Sequence, residues 1–394
     1  MSDRPNPVGP QPGDNRALLS VAVQFFVNGL VVASFVPRLP EIRDRIDVST
    51  TTLGVLLAMG SAAGLLGSVT VGRFIERFGT RHVLIGGALA LVSALALIGV
   101  ATTPAVFLVG LMALSSMDVL VDSAMNTQGS WISGRREVPV MNRLHGLWSL
   151  GTVVGGLVAS QAAASGVSLQ THLFVASGLL FAVVVFVGRG LLPVDEYRHE
   201  PTGESTATVS RVRLRMPLVL LGLASGCSIA MEMTSSDWAA FRLSDDFGAA
   251  AGVAGLAYVA FTAGMTGGRF GGDWAISRFG ASRVFNVAIT MTMVAVATAS
   301  FVPNRWVVLV AFVFAGLGIA TQFPKLYDDA AKFPGRPGAG LGALTGGSRL
   351  ALLATPALVG ALAGTSLSVG AATAIVTLPA ALVFVMASRR IVST

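Results

Sequence analysis

The sequence predicts an all-α integral membrane protein in which twelve transmembrane helices form two pseudo-symmetric six-helix halves. Three observations support this prediction. Only 12% of the 394 residues are charged and 53% are hydrophobic, whereas about a quarter of the residues of a soluble domain are charged. The chain contains twelve apolar stretches, each near the length of about 20 residues that crosses a bilayer. A short charged motif also occurs twice, at residues 71–83 and 267–284.

The apolar stretches place the predicted spans at 17–37, 52–72, 82–101, 104–127, 143–163, 171–192, 216–240, 251–272, 283–302, 306–326, 339–363 and 368–388. Six lie on each side of the polar segment 193–215, which lacks helical apolar periodicity and predicts a solvated cytoplasmic linker. The predicted domains are therefore an N-terminal half over 17–192 and a C-terminal half over 216–388. Residues 1–16 and 389–394 are predicted to be cytoplasmic tails, the first of them disordered.

The basic residues predict the orientation. Of the 27 Lys and Arg residues, 22 lie in the tails, loops and span ends on the side of the termini, and 5 lie on the other side. Because an excess of Lys and Arg marks the cytoplasmic side, we expect both termini in the cytoplasm and the protein in the inner (plasma) membrane. The net charge of +7 is distributed between apolar segments, so it does not indicate a nucleic-acid surface.

The charged motif indicates an internal duplication. Its copies share Arg-Phe-Gly, at Arg77 to Gly79 and again 201 residues later at Arg278 to Gly280. Both copies fall in the predicted cytoplasmic turn after the second span of a half. Two repeats around a shared central site are typical of transporters.

The same residues resemble a known family. The stretch GRFIERFGTR is similar to the loop motif Gly-x-x-x-Asp-Arg-x-Gly-x-Arg of the major facilitator superfamily, with Glu in place of Asp. VDSAMNTQ, NRLHGLWSLG, SSDWAAF and GLAYVAFTAGMTGGRFGGD resemble its fucose-permease-like branch, especially the YbjJ-like bacterial members. The resemblance covers nearly all twelve helices. It implies a secondary active transporter that moves a small solute by alternating access, with proton coupling as the expected mode.

In that family the charged turn forms a cytoplasmic latch that pairs with neighbouring helix ends. The matching residues here are Gly72, Glu76, Arg77, Gly79 and Arg81 in the first copy and Asp273, Arg278 and Arg283 in the second. Alternatively, the arginines act only through the positive-inside rule. That alternative leaves the acid and the glycine unexplained, so we favour a latch that also contributes to topology.

Polar residues inside membrane helices usually face a cavity or the bundle interior. Helical spacing puts several of them in stripes on single faces. The stripes are Ser20, Gln24 and Asn28 in span 1; Ser115, Asp118, Asp122 and Asn126 in span 4; His145, Ser149 and Thr152 in span 5; and Ser225, Ser228, Glu232 and Ser236 in span 7. The resemblance implies that these four spans line the solute cavity, because the corresponding helices are among those that line the cavity in the family.

Three acids are candidates for proton coupling. Asp122 comes first, because a carboxylate near mid-membrane can bind a proton reversibly and the resemblance aligns it with the proton-linked Glu of the fucose permease motif. Asp118 is a candidate helper, and Glu232 is a candidate second proton site or gate. Asp122 could instead be a structural carboxylate hydrogen-bonded to spans 1 or 5, and Glu232 could instead form a hydrogen bond to Ser or Trp238. The family's acid in span 1 has no counterpart here, so an uncoupled facilitator remains an alternative.

The candidate solute contacts are Gln24, Asn28, Asn126, His145, Trp148, Ser149 and Arg349. His145 aligns with a substrate-contacting Gln of the fucose permease motif, or it bonds the nearby loop. Arg349 could bind an anionic group, balance an acid, or reach the surface by snorkelling. Trp148 and Trp238 could stack on a ring or anchor the protein at the interface.

This sequence lacks the motifs that mark other functional classes. There is no GxxxxGK[ST] phosphate loop for an ATP-driven pump and no HExxH or GxSxG for a hydrolase, so we expect no enzymatic activity and no cofactor or metal. The expected partners are a small-molecule solute, protons and the lipid bilayer, without nucleic acid, and the expected state is a monomer. A non-transporting sensor with the same fold remains an alternative.

Overall fold

The computed structural model describes residues 13–136, 140–193, 216–331, 333 and 339–392, so the predicted tails and linker lie largely outside the described residues. Within these ranges the chain is helical and has no strand. The helices of the first half are α1 (Asp14–Phe35), α2 (Leu39–Arg45), α3 (Thr50–Val100), α4 (Pro104–Arg136), α5 (Met141–Ala164) and α6 (Leu169–Val187). Those of the second half are α7 (Met216–Asp237), α8 (Ala239–Phe247), α9 (Ala251–Phe279), α10 (Ala281–Phe301), α11 (Arg305–Ile319), α12 (Gln322–Ala331), α13 (Ala339–Ala363) and α14 (Val369–Val392).

The helix α3 contains two membrane spans. Gly79 has φ 77° and ψ 156°, which is not helical, so residues 50–78 and 80–100 form a first and a second arm. Ten stretches of the described chain are long and apolar enough to cross a membrane, and α3 counts once among them. The helix α9 is not among the ten because its glycines lower its mean hydropathy, although its 29 residues suffice to cross. With α3 counted as two spans and α9 included, the described chain has twelve spans, the number that the sequence predicts.

The glycine turn repeats between the halves. Gly280, which joins α9 to α10, has φ 82° and ψ 143°, close to the angles of Gly79. Glycine adopts positive φ without the steric cost that a Cβ imposes. The short helices α2 and α8 also occupy equivalent places, each after the first long helix of its half. The structure therefore has the two-half architecture that the repeated motif predicts.

We name the two membrane faces by these elements. The terminal face carries the turns at Gly79 and Gly280, and α1 begins there. The opposite face carries α2 and α8. Two hydrophobic cores lie between the faces, one packed mainly within each half. Trp238 and Phe241, at α8 of the second half, belong to the first-half core, so the halves share apolar packing on the opposite face.

Buried glutamines stabilise the terminal side of each half. In the first half, Gln128 Nε2 of α4 donates to Thr80 Oγ1 of the second α3 arm, 2.9 Å away, and Gln128 Oε1 accepts from the Leu192 backbone N–H at 3.1 Å. In the second half, Gln322 Nε2 of α12 donates to Thr292 Oγ1 of α10 at 3.3 Å. These pairs connect corresponding helices, and nothing in the sequence analysis singled them out.

The fourth span is longer than predicted. It was expected to end at residue 127, but α4 continues to Arg136. Near its end, Arg135 Nη1 forms an ion pair with Asp14 Oδ1 of α1 at 3.0 Å, and both side chains are buried. Each of these buried charges compensates the other. Without the pair, the helix ends would tend to unfold so that the charges could be hydrated.

Arginines on the opposite face are also paired. Arg38 donates to the Glu41 carboxylate and to the Val167 carbonyl. Arg242 donates to Asp246 and to the Ala299 carbonyl of α10. The Asp246 carboxylate in turn accepts the first two backbone N–H groups of α14, where the helix dipole favours an anion.

Candidate functional site

The two halves meet closely on the opposite face. Gly54 of the first α3 arm and Gly360 of α13 lie backbone to backbone, and a Cβ on either would clash with the other helix. Thr51 Oγ1 donates to the Gly360 carbonyl at 3.2 Å. This crossing leaves no passage between α3 and α13 at that level.

A charged pair closes the same face beside the glycine crossing. Arg43 of α2 binds both carboxylate oxygens of Asp245 in α8, at 2.5 and 3.3 Å. The Arg43 guanidinium also lies over the Phe241 ring, with Cζ 5.3 Å from the ring centroid. A bidentate arginine–carboxylate pair is strong and directional, so it joins the short helices of the two halves.

The predicted latch on the terminal face is not paired in this conformation. Glu76, Asp273, Arg278 and Arg283 are exposed and form no ion pair within the described residues. Arg77 is also exposed, and its guanidinium lies over the adjacent Phe78 ring. Within the described chain, one of the predicted residues reaches a neighbouring helix end.

That residue is Arg81, whose Nη2 donates to the Gly188 carbonyl at the end of α6, 3.0 Å away. Gly72 lies on the exposed side of the first α3 arm with open space beside it. The latch therefore remains a prediction for another conformation, while the contacts of the opposite face are formed.

The helices α5 and α9 form the seam between the halves. Gly156 of α5 packs against Tyr258 of α9, and Gly255 of α9 packs against Ser160 of α5. Toward the terminal face, Gly146 packs against the Phe270 ring. The seam is thus in contact over several helical turns, and polar side chains that enter it belong to both halves.

The acids of the α4 stripe have separate amide partners. Asn28 Nδ2 of α1 donates to Asp118 Oδ1 at 2.9 Å, and Asn126 Nδ2 donates to Asp122 Oδ1 at 3.0 Å. The Asp118 residue is partly buried between α1 and α4, whereas Asp122 is exposed one turn nearer the terminal face. The predicted stripe exists, but its two acids are in different environments.

Two predicted polar contacts on α1 keep unused hydrogen-bonding atoms. Gln24 and Asn28 are at least 97% buried. Gln24 Nε2 and Asn28 Oδ1 have no hydrogen-bond partner within the described residues. Buried polar atoms are rarely left unpaired, so these atoms provide one donor and one acceptor for a polar group.

The central charged residue of the seam is Arg269, which the sequence analysis did not propose. It extends from α9 toward α5, where Nη1 donates to Ser149 Oγ at 2.8 Å and Cζ lies 5.5 Å from the Trp148 ring centroid. Its Nη2 lies 3.6 Å from Glu232 Oε1 of α7. Arg269 of α9 therefore contacts three of the predicted site residues, two on α5 and one on α7.

A signal in the sequence could have identified Arg269. Both motif copies contain Gly-Arg-Phe, at Gly72 to Phe74 and at Gly268 to Phe270. The first arginine precedes its glycine turn by six residues and Arg269 precedes its turn by eleven. At 1.5 Å per residue, the five added residues move the arginine about 7.5 Å deeper into the membrane.

His145 and Arg349 are the predicted solute contacts not yet described. His145 packs edge-on against Phe25, with ring centroids 5.2 Å apart, and its backbone carbonyl accepts from Ser149 Oγ at 3.2 Å. Arg349 is partly buried on α13 and forms no hydrogen bond or ion pair in the described chain. It lies seven residues before Pro356, hence on the helix face that packs against Gly54.

The end of α7 adds an acid that the sequence analysis missed. Asp237 Oδ1 accepts from Ser236 Oγ at 2.7 Å, and the acid lies within electrostatic range of Glu232 and the buried Tyr258. The adjacent Trp238 is 1% exposed and packs on Phe241. Its suggested roles in ring stacking or interfacial anchoring do not fit this position, because it is part of the apolar core.

Comparison with known proteins identifies the family. Residues 21–241 match the model of the Major Facilitator Superfamily, which is more than half of the chain. The chain belongs to the major facilitator superfamily. It is therefore a multi-pass membrane transporter and not an enzyme.

Relatives of this superfamily member include the membrane protein MosC of Rhizobium meliloti. That protein is 29% identical over 322 residues, which cover 81% of this chain and 77% of the relative. An uncharacterized MFS-type transporter of Yersinia pestis is 25% identical over 364 residues, 92% of this chain and 93% of the relative.

Solved structures of the superfamily have the same fold. The nucleoside transporter NupG superposes with a TM-score of 0.71 at 13% identity, covering 97% of this chain and 99% of that one. The E. coli fucose:proton symporter FucP superposes with a TM-score of 0.64 at 18% identity, covering 94% and 98%. At these identities the likeness establishes the fold alone, and this superfamily member's solute must be inferred from its own residues.

Proposed function

We propose that the protein is a secondary transporter that moves a small polar solute across the bacterial inner membrane by alternating access, coupled to protons, with both termini in the cytoplasm. One observation carries the proposal: the charged and polar side chains of the seam come from both halves and meet at Arg269. A solute bound there contacts both halves, so their relative movement changes the side from which it can leave.

The unequal closure of the two faces supports alternating access. Arg43 and Asp245 are paired on the opposite face, while Glu76 and Arg77 of the latch have no ion-pair partner in the described chain. If the opposite face is extracellular, as the distribution of basic residues predicts, this conformation is closed outward. Latch pairing would then accompany closure of the cytoplasmic face.

The proton-binding group that fits the geometry best is Asp118. Its described partner is the neutral Asn28 amide, and no cation pairs with it in the described chain. A carboxylate held in a poorly hydrated place without a cation is costly, and binding a proton removes that cost. Asp122, exposed one turn closer to the terminal face, is suited to pass the proton to water.

Transport through purified protein tests this proposal. Proteoliposomes containing a pH-sensitive dye would be supplied with sugars, nucleosides, peptides and carboxylates, and solute uptake and internal pH would be followed together. We expect one class to enter with protons, and Asp118→Asn to abolish accumulation against a gradient while downhill exchange persists. Asp44→Asn, which changes an exposed side chain of α2, serves as the control.

Three outcomes would contradict parts of the proposal. Solute flux that ignores an imposed pH gradient would indicate an uncoupled facilitator. Binding of a solute that never crosses the membrane would support the sensor. Accumulation retained by Asp118→Asn would exclude Asp118 as the proton site while leaving transport itself intact.

A further inference from the structure

We propose that Arg269, Ser149 and Trp148 form a subsite for the carboxylate of a small organic anion, which replaces Glu232 at the guanidinium when the solute binds. The inference rests on the proposed transport function and assigns its substrate class. It does not depend on which residue carries the proton.

The first argument is the hydrogen bonding of Arg269. A guanidinium has five N–H donors in a planar fork. Within the described residues only Ser149 accepts one of them, at 2.8 Å from Nη1. The side chain is 28% exposed, and none of its nitrogens is among the fully buried unpaired atoms of the described chain, so its other donors face space that a solute can reach. A partly buried guanidinium with unused donors favours an anion that can accept two of them.

The second argument is the loose hold of Glu232. Its Oε1 lies 3.6 Å from Arg269 Nη2, which is within ion-pair range but too long for a hydrogen bond. Glu232 forms no hydrogen bond in the described chain, although its side chain is only 24% exposed. Removing it from the guanidinium therefore breaks an electrostatic contact and no directional bond, which suits a displaceable counter-ion.

The third argument is the position of Trp148. Its ring lies beside the guanidinium, with the centroid 5.5 Å from Cζ. Because this cation–π contact uses none of the N–H donors, those that Ser149 does not occupy remain available for the two oxygens of a carboxylate. The same ring offers an apolar surface to the carbon skeleton of the solute.

The two acids of α4 do not make an amine a better ligand for this subsite than a carboxylate. Asp118 and Asp122 are bonded to the amides of Asn28 and Asn126, on α4 rather than on the seam. A solute bearing only an amine would have to approach the positive guanidinium of Arg269. A carboxylate instead meets a cation whose present counter-ion is weakly held.

The proposal can be tested with two small probes of the same shape. Purified protein in lipid nanodiscs would be titrated with benzoate and with benzamide, and binding would be followed by calorimetry and thermal unfolding. We expect benzoate to bind and benzamide not to bind. We expect Arg269→Gln to weaken benzoate binding by about tenfold or more, the effect of losing a hydrogen-bonded charge.

The second variant separates binding from a structural role. Glu232→Gln removes the competing carboxylate, so it should strengthen benzoate binding, opposite to the effect of Arg269→Gln. Arg305→Gln is the matched control, because Arg305 also lies over a tryptophan, with Cζ 5.1 Å from the Trp306 ring, but at an exposed position outside the seam. It should leave benzoate affinity unchanged.

Several results would overturn the proposal. These are benzamide binding as well as benzoate, no benzoate binding to the wild-type protein, undiminished binding in Arg269→Gln, or equal weakening in both seam variants. The proteoliposome uptake experiment tests the proposed transport function separately. If a neutral solute enters together with protons and Arg269→Gln does not change that uptake, the proposed transport function is supported. Only the assignment of a carboxylate as the substrate class is then excluded.

Discussion

At the scale of single residues, the charged side chains differ in how completely they are paired and how deeply they are buried. Arg135 and Asp14 are buried together, whereas Glu76 and Arg278 remain exposed. Arg269 is intermediate, with one hydrogen bond and one loose counter-ion. Fully paired charges fix helices in place, and a partly paired charge is available for a ligand.

The difference between Asp118 and Asp122 leads to a prediction. Both become permanently neutral when changed to Asn, but only Asp118 is enclosed between helices. We expect Asp118→Asn to abolish proton-driven accumulation and Asp122→Asn to slow it without abolishing it, because water can substitute for an exposed relay. Uptake rates measured in proteoliposomes at several external pH values check this. Complete loss in Asp122→Asn with normal coupling in Asp118→Asn would reverse the two roles.

The buried ion pair leads to a second prediction. Arg135→Gln breaks the ion pair between two buried side chains, and breaking a buried pair costs up to about 3–5 kcal/mol. Thermal unfolding in detergent should therefore show a clear loss of stability. Arg136→Gln is the control, because the neighbouring arginine is hydrogen-bonded to Asn15 at an exposed site, and it should have little effect.

At the scale of elements, the helices of the two halves cross where side chains are absent. Gly54 and Gly360 place α3 and α13 in direct backbone contact. Caps fix where several helices begin: Ser49 Oγ accepts from the Thr52 N–H before α3, and Asn304 Oδ1 accepts from the Trp306 N–H before α11. Because Ser49 fixes the start of α3, it also sets how far the crossing of Gly54 and Gly360 lies below the opposite face.

The crossing predicts the effect of a larger residue. Gly360→Leu should prevent α3 and α13 from meeting and should hold the opposite face open. Gly342→Leu on the same helix is the matched control, because nothing lies near a Cβ at that position. Labelling of a cysteine introduced at Thr51, with Cys227 replaced by Ser, would measure accessibility. Equal labelling in both variants would contradict a gating role for the glycine pair.

The sequence predicted the elements better than it predicted the site. Composition, apolar length and the repeated Arg-Phe-Gly are local properties, so the twelve spans and the turns at Gly79 and Gly280 could be anticipated. The intervals of three, four and four residues between Ser115, Asp118, Asp122 and Asn126 also predicted the α4 stripe. Arg269 and Asp237 were missed because their importance depends on which helices meet at the seam. The end of α4 was missed because its partner Asp14 is 121 residues away in the chain.

At the scale of the whole molecule, the structure represents one side of an equilibrium. The opposite face is held by Arg43 and Asp245, by the glycine crossing and by Trp238 in the first-half core. The latch of the terminal face is unpaired in the described chain. The free-energy difference between the two arrangements can therefore be shifted by removing pairs from either face.

This equilibrium can be tested from the closed face. Asp245→Asn removes the charge that Arg43 binds, so it should favour opening of the opposite face by about 1–3 kcal/mol, the usual size of such couplings. Asp44→Asn is the control, since Asp44 also bonds Arg43 but within α2. Distances between spin labels on α2 and α8 would report the populations. Unchanged distances would show that the apolar contacts alone keep the face closed.

The five added residues before Gly280 have an evolutionary consequence. When a gene segment is duplicated, both copies start with the same Gly-Arg-Phe at the same depth, where the arginine serves membrane insertion. Lengthening the helix after that triplet in one copy retains the amino acid and changes its surroundings from water to the protein interior. An arginine can therefore move from the membrane surface into the protein interior through lengthening of its helix, without any substitution at that residue.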